Sequence, residues 1–572
     1  MRLRWCALVL ALAGILGGCG GVPEGGVPIA VRDRDINQAG ENLSASVAIS
    51  GPKDGDGPMD TFNSLLNATA VTQNRSRLAE TFFAPGARRA FERTTAVNVV
   101  RVQEAPRVVD TTADHTTLTM SVQMVGLIDG SGVYRADTRR LELSLRLVQL
   151  NGLWLFDSAP EMVLVRESDF ARAMRPVVVY YPAVTGFTLV PEQRYVDSSI
   201  RVSSLATPLV GMLLGGPSAS LAPVTRPPFA QNVRLRGNVT VGDDRDVVLD
   251  LTTDVESVSA EQINTFIAQV GWTLRRYRPG DIRVQVGGRD IAVKGVEAKQ
   301  SLGDWASYNP AQLVDQPLFV IQDGQVRELG ESRPPIFGGE RATSDVLTGA
   351  ISLDGRAAAV VRDEGEDQQL WVGDAYGSVQ NVLSAEQISR PSWGSSTSSA
   401  LTAVDGDLLR VSRAGVPSAV EVTGVSDIRA VRLSYDGSRV VLVAGEPDQA
   451  RAYMGLVVAD ASGEPVAIRG VTALSAPVAQ VEDVAWATPV SVFVAGREFD
   501  GMAALWEVDV DGSAVEPTPR TGLRPAPVAV AAAPTESGAE PVYVDLGGQL
   551  FQRFRESWTL APERVSMPFY PG

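Results

Sequence analysis

The sequence predicts a multidomain chain, with α+β units in its N-terminal half followed by an all-β propeller. Three observations lead there. The chain has 572 residues, enough for roughly three or four domains. Two stretches, 59–165 and 176–299, mix helical spacing with alternating strands. From 318 onward the sequence repeats itself at intervals of roughly 40 to 50 residues, the period of propeller blades.

The N-terminus carries Arg2 and Arg4, then an apolar run from Trp5 to Leu16, then Leu16-Gly17-Gly18-Cys19. The run is too short to cross a bilayer and reads as the core of a secretory signal, 1–18. The Leu-small-small-Cys ending resembles the lipobox of bacterial lipoproteins. That resemblance implies cleavage before Cys19 and lipidation of Cys19 with an N-palmitoyl and an S-diacylglycerol group. Cys6 leaves with the signal, so the mature chain keeps one thiol and no internal disulfide. Residues 19–58 are rich in Gly, Pro, Asp and Ser without apolar periodicity, as expected of a flexible tether.

The first unit, 59–165, opens with Phe62, Leu65 and Leu66, then Leu78, Phe82 and Phe83. Their spacing predicts two short helices. Strands follow at Val97–Val102, Thr116–Ile128, Leu141–Leu150 and Leu153–Phe156, with hairpin turns at Asp129-Gly130 and Asn151-Gly152. Helices followed by an antiparallel sheet resemble the NTF2-like cone fold, which allows either a ligand pocket or a packed spacer, the spacer being the favoured reading.

The second unit, 176–299, begins with strands Val177–Pro182 and Phe187–Pro191. A helix follows over Leu205–Leu214, stopped by Gly215-Gly216-Pro217. Paired strands lie within Val239–Leu251. Ser259-Ala-Glu-Gln262 is a capping box that opens an amphipathic helix through Ile263, Phe266, Ile267 and Val270. Ile282–Val286 is expected as an edge-like closing strand. The order Tyr-Tyr-Pro, Leu-Val-Pro, Leu-Leu-Gly-Gly-Pro, Val-Val-Leu-Asp-Leu, helix, Val-Gln-Val-Gly-Gly is similar to the GerMN domain of sporulation and germination proteins. The Pro-rich stretch Ala222–Phe229 departs from that pattern. The resemblance implies a protein-binding or assembly module and carries over no catalytic residue.

In the last unit, 318–572, Ile351-Ser-Leu-Asp354-Gly355 parallels Leu433-Ser-Tyr-Asp436-Gly437, and Ser392-Trp393 and Ala485-Trp486 take the equivalent place in further copies. Ser352, Ser392, Ser434, Ala485 and Ala532 mark five copies. An extra hairpin at 318–329 is expected to pair with the C-terminal copy and close the ring, which removes open sheet edges.

Chemistry is sparse. One histidine, His115, sits in a Thr-rich strand without a nucleophile motif. Structural zinc needs about four Cys or His ligands. Neither a GxxxxGK[ST] loop nor a GxGxxG turn is present. The sequence therefore predicts no catalytic, cofactor or metal residue and no enzymatic activity. A two-carboxylate hydrolase stays open as the least favoured reading. The net charge of −16 argues against a nucleic-acid partner. Asp354, Asp436 and Asp511 each precede glycine, and their recurrence reads as hairpin chemistry rather than as a carboxylate site. Trp371, Trp393, Trp486 and Trp506 are expected to pack between blades rather than line a sugar groove.

Signal, tether, NTF2-like, GerMN-like and propeller segments in this order resemble the LpqB family of actinobacterial lipoproteins. That resemblance implies a lipid-anchored protein on the outer face of the cytoplasmic membrane. It also implies a partner, the extracytoplasmic domain of an MtrB-like sensor histidine kinase, in envelope and cell-division signalling. A cell-wall glycan sensor is the rival reading.

Overall fold

The computed structural model describes residues 49–572, apart from 113, 159–161, 187, 230–231, 243, 278, 309–315, 331–334, 338–343, 395–397, 536–537 and 562–563. The signal segment, Cys19 and most of the tether lie outside the described residues. The tether expectation fails over 49–57. Ile49 packs on the core of the first unit, and Asp56 closes a turn with Lys53 (N–O 3.1 and 2.8 Å).

The first unit has three helices, Pro58–Thr69, Arg75–Phe82 and Pro85–Glu92, rather than two. Pro85 cannot continue the second helix but suits the first turn of a third. The sheet runs Leu153–Phe156, Arg140–Leu150, His115–Ile128, Val97–Val102, Val163–Arg166. Only its last pair is parallel. His115–Ile128 alternates strictly, sending Leu118, Met120, Val122 and Met124 towards the helices. Phe83 stacks on Phe91 at 4.2 Å and meets Phe156 at 5.3 Å, closing that core. A cavity of about 20 Å³, room for about one water, lies among Phe62, Leu66, Phe91 and Phe156. The unit is filled by its own side chains.

A two-stranded ribbon, Met174–Pro182 paired with Leu189–Asp197, holds the molecule together. The second strand runs six residues beyond the expected Pro191, through Glu192, Gln193 and Arg194, all buried. Met174 and Tyr195 pack against Val97, Val99 and Ile128 of the first unit, and the Tyr195 N–H donates to Gly132 O (2.8 Å). Val177, Val179, Tyr181 and Val190 enter the core of the second unit. Each face of the ribbon is thus covered, which explains why its burial does not alternate.

In the second unit, helix Ala206–Gly215 ends at Gly216 with φ +82°, a left-handed cap. The expected Ser259 cap forms: its hydroxyl accepts the Gln262 N–H (3.3 Å) at the start of helix Ala260–Leu274. The Pro-rich stretch roofs the core, with Phe229 against Phe266 at 4.8 Å. Ile282–Val286 is not an edge. It pairs in parallel with Val247–Leu251 and in antiparallel fashion with Arg289–Asp290 and Lys299–Gln300. Its strict alternation reflects one face on the core, a pattern that an interior strand can share.

The C-terminal region forms six sheets among the described residues. Five are meanders whose inner strands are Val346–Ile351, Ser392–Trp393, Ile428–Leu433, Gln480–Thr488 and Ala529–Thr535. The hairpin Phe319–Gln322/Gln325–Glu328 does not join the fifth meander. It pairs with the terminal strand Ser566–Phe569, making a sixth, composite blade. The ring is closed between the two ends of the domain, as expected, but in a blade of their own. Pairing also corrects the repeat register. Trp393 and Trp486 stand where Ile351 and Leu433 do, opposite the second residue of the next strand. Ser392 is therefore level with Ala350 and Arg432, not with Ser352 and Ser434.

Candidate functional site

Cys19 lies outside the described residues. His115 starts its strand, is partly exposed, and shares a hydrogen bond with the Thr112 hydroxyl (Nδ1–Oγ1 2.7 Å). Its side chain also lies 3.5 Å from Asp114 Oδ1, so both of these contacts belong to a single exposed turn. The described residues hold no cluster of three His, Cys, Asp or Glu able to grip a metal, and no helix long and apolar enough to cross a membrane.

Asp354 and Asp436 are turn residues. Ser352 Oγ donates to Asp354 Oδ1 (2.6 Å) and accepts the Ala357 N–H (2.9 Å). Ser434 likewise accepts the Arg439 N–H (3.0 Å), and Asp436 the Ser438 N–H (2.9 Å). The glycines that follow have φ +70° and +73°, the left-handed geometry that such turns require. Asp436 does more: it pairs with Arg439 (3.0 Å), which donates to Pro489 O (2.9 Å) and lies over the Trp486 ring, tying one blade to the next.

Asp511 departs from the turn reading. Its Oδ1 accepts the Ser513 N–H (2.9 Å) as a turn residue should, but its Oδ2 is enclosed and has no hydrogen-bond partner. The hairpin that carries it, Asp509–Ser513, is pressed into the ribbon. Gln193 Nε2 donates to Asp509 Oδ2 (2.8 Å), and the Tyr195 hydroxyl meets Ser513 Oγ (2.5 Å) and Gln193 (2.7 Å). Burial, and then repulsion from Asp509, push the Asp511 carboxyl up to about 7, although the Ser513 hydroxyl and N–H pull the other way. Burial and the two aspartates raise the Tyr195 phenol as well. This is the polar joint between ribbon and propeller.

Next to it, Arg194 is almost fully buried. It pairs with Glu192 (2.6 Å), donates to Gly216 O (2.7 Å) and Ser131 O (3.3 Å), and lies 5.4 Å from the Tyr181 ring centre. Glu192 also accepts the Ser218 N–H (3.1 Å). The pair thereby ties the ribbon to both α+β units.

The four tryptophans divide. Trp371 and Trp506 sit on third strands, bonded to Gln369 (3.0 Å) and Glu498 (3.0 Å). Trp393 and Trp486 are on inner strands and line a cavity of about 50 Å³ at the propeller centre, together with Arg390, Arg432, Tyr435 and Tyr570. Arg432 pairs with Asp483 at 2.6 Å, and Arg390 lies 3.7 Å from the same carboxylate.

Sequence reasoning missed the ribbon's polar triplet and this central charge cluster. Each left a trace. Glu192-Gln193-Arg194 interrupts an otherwise apolar strand, and Arg432 stands where other copies have Ala350, Ser392 and Ala485. A charge repeatedly avoided at an inner-strand position signals a purpose-built interior.

The architecture defines the class: an α+β unit, a GerMN-like unit and a C-terminal propeller in one multidomain chain. Family models match all three parts: "Lipoprotein LpqB, N-terminal domain" over residues 51–171, "Sporulation and spore germination" over 178–292, and "Lipoprotein LpqB beta-propeller domain" over 324–571. The chain belongs to the LpqB lipoprotein family. It is 26% identical over 564 residues to lipoprotein LpqB of Rhodococcus jostii, covering 92% of this chain and 90% of the relative. To lipoprotein LpqB of Mycobacterium tuberculosis it is 27% identical over 476 residues, covering 78% and 79%. Among solved structures it is similar to TolB from Acinetobacter baumannii, at 14% identity and a TM-score of 0.34, covering 45% of this chain and 66% of that one.

Proposed function

We propose that this chain is a lipoprotein held by Cys19 at the outer face of the cytoplasmic membrane, where it binds the extracytoplasmic domain of an MtrB-like sensor kinase and modulates its output. The observation that carries this reading is the match to LpqB lipoproteins over most of both chains. The fold supports it in physical terms. Three units share one buried ribbon, so a partner meets a broad preassembled surface and loses little entropy in ordering it. Tethering confines that surface to the membrane and raises its effective concentration near a membrane-bound kinase. The role is binding, with no catalytic step.

Lipidation is tested by fractionation. In cells, Cys19→Ala is expected to move the protein from the membrane to the soluble extracytoplasmic fraction and to alter transcription of the kinase's targets as deletion does. Normal signalling from the released protein would count against the reading.

A further inference from the structure

The propeller centre holds more positive charge than its own residues neutralise. Arg390 and Arg432 both reach Asp483, the one carboxylate within ion-pair distance of either guanidinium among the described residues. Asp483 is already committed: Oδ1 accepts from Arg432 (2.6 Å) and Oδ2 from the Val530 N–H (3.0 Å). Side-chain exposure of the two arginines is 10% each, and that of Asp483 is 5%. The other arginine contacts among the described residues are neutral carbonyls, Pro568 O for Arg390 (3.0 Å) and Val431 O (2.7 Å) and Arg390 O (3.4 Å) for Arg432. The ionisable neighbours facing the cavity, Tyr435 and Tyr570, are phenols that burial keeps protonated. One of the two cations therefore stands uncompensated in a low-dielectric interior, a costly arrangement unless an anion completes it.

Two residues that line the cavity also carry a buried donor without a partner. Arg432 Nε and Trp393 Nε1 have no hydrogen-bond partner, and Trp393 is fully buried on the cavity wall. Buried donors are nearly always satisfied. Burial and the facing Arg390 also lower the Arg432 guanidinium to about 9, the direction that an added anion reverses.

We propose that the propeller centre is a binding site for one small carboxylate, held by Arg390 and Arg432 with the Trp393 indole N–H as a further donor. The charge balance selects a monovalent anion, since a divalent one leaves a net negative charge in the same interior. Planar guanidinium groups match a carboxylate's two oxygens. Trp393, Trp486, Leu433 and Phe569 give the cavity apolar walls that suit a short hydrocarbon stem. Its volume of about 50 Å³ admits an acetate-sized group, so a longer ligand enters only by its carboxylate end. The site does not depend on the kinase reading.

The test uses the purified full chain in detergent. Calorimetric titration and thermal unfolding compare acetate and propionate with chloride and sulfate at equal ionic strength. The dipeptide alanyl-alanine separates a peptide terminus from a free small acid as the source of the carboxylate. One carboxylate bound per chain, with thermal stabilisation that chloride and sulfate do not give, is expected. Arg390→Gln and Trp393→Phe should each weaken binding by about tenfold or more, since each removes a donor to an ionised carboxylate. Without ligand, Arg390→Gln should unfold no earlier than the wild type, because it removes the uncompensated charge. Equal responses to acetate and chloride, no response to any carboxylate, or unchanged affinity in both variants would overturn the proposal.

Discussion

Arg194→Met is expected to destabilise the ribbon and the units built on it by roughly 3–5 kcal/mol, the cost of leaving one partner of a buried ion pair alone. Methionine keeps most of the side-chain bulk, so packing against Tyr181 is largely retained. What is lost is charge and donors. Glu192 keeps only the Ser218 N–H, Ser131 O loses its guanidinium donor, and Gly216 O retains the Tyr181 hydroxyl (2.8 Å). Because the chain has several domains, hydrogen exchange in 174–197 is the appropriate measure rather than one global transition. The double substitution Glu192→Leu with Arg194→Met should recover much of the loss, since an apolar pair of similar volume replaces a buried ionic one at little cost. A single-variant loss below about 1 kcal/mol, the range of exposed pairs, would show that the pair is not structural.

The junction is expected to loosen as pH rises from about 4 to above 7, and Asp511→Asn to abolish that dependence. The Asp511 carboxyl has its ordinary value of 3.8 once unfolded and about 7 when folded, so between these the folded chain binds the extra proton. Its contribution is therefore complete below about pH 4 and fades as pH climbs through about 7. The difference corresponds to at most about 4 kcal/mol. The carboxylates that salt bridges and turn N–H groups hold low, such as Asp137 and Asp460, act in the opposite sense, at pH values below 3.8. Asparagine is close in shape and neutral throughout. Denaturation of wild type and Asp511→Asn side by side from pH 4 to pH 8 cancels every other titration. The variant should match the wild type near pH 4 and exceed it near pH 8. A difference that stays constant across the range would rule out a buried, proton-holding Asp511.

Periodicity made much of this fold readable. The long strands His115–Ile128 and Arg140–Leu150 alternate, and the Ser259 box announces its helix. The Asp-Gly turns mark the meanders because left-handed glycines leave a local signature. What stayed hidden was tertiary. The polar run Glu192-Gln193-Arg194 looks like the end of a strand until partners from Ser131, Gly216, Ser218 and Asp509 are brought to it from elsewhere in the chain. Asp511 resembles Asp354 and Asp436 in sequence and differs only because a tyrosine and a glutamine from another domain cover it. That the early hairpin meets the C-terminal end is legible in the sequence; that the two form a blade of their own is not, since they are joined through the short pairing of Phe319 with Phe569 and Ile321 with Ser566. Likewise Arg390, Arg432 and Asp483 come from separate blades and meet only when the ring closes.

The central claim is that this molecule acts by contact, presenting a preassembled surface to a kinase ectodomain. The most direct measurement is binding of the purified full chain, reconstituted in lipid bilayers through Cys19, to the isolated extracytoplasmic domain of the cognate kinase. Saturable binding that survives physiological salt and weakens when Arg194→Met loosens the ribbon is the expected result. Absence of binding at low and physiological salt, with both proteins folded, would contradict the account.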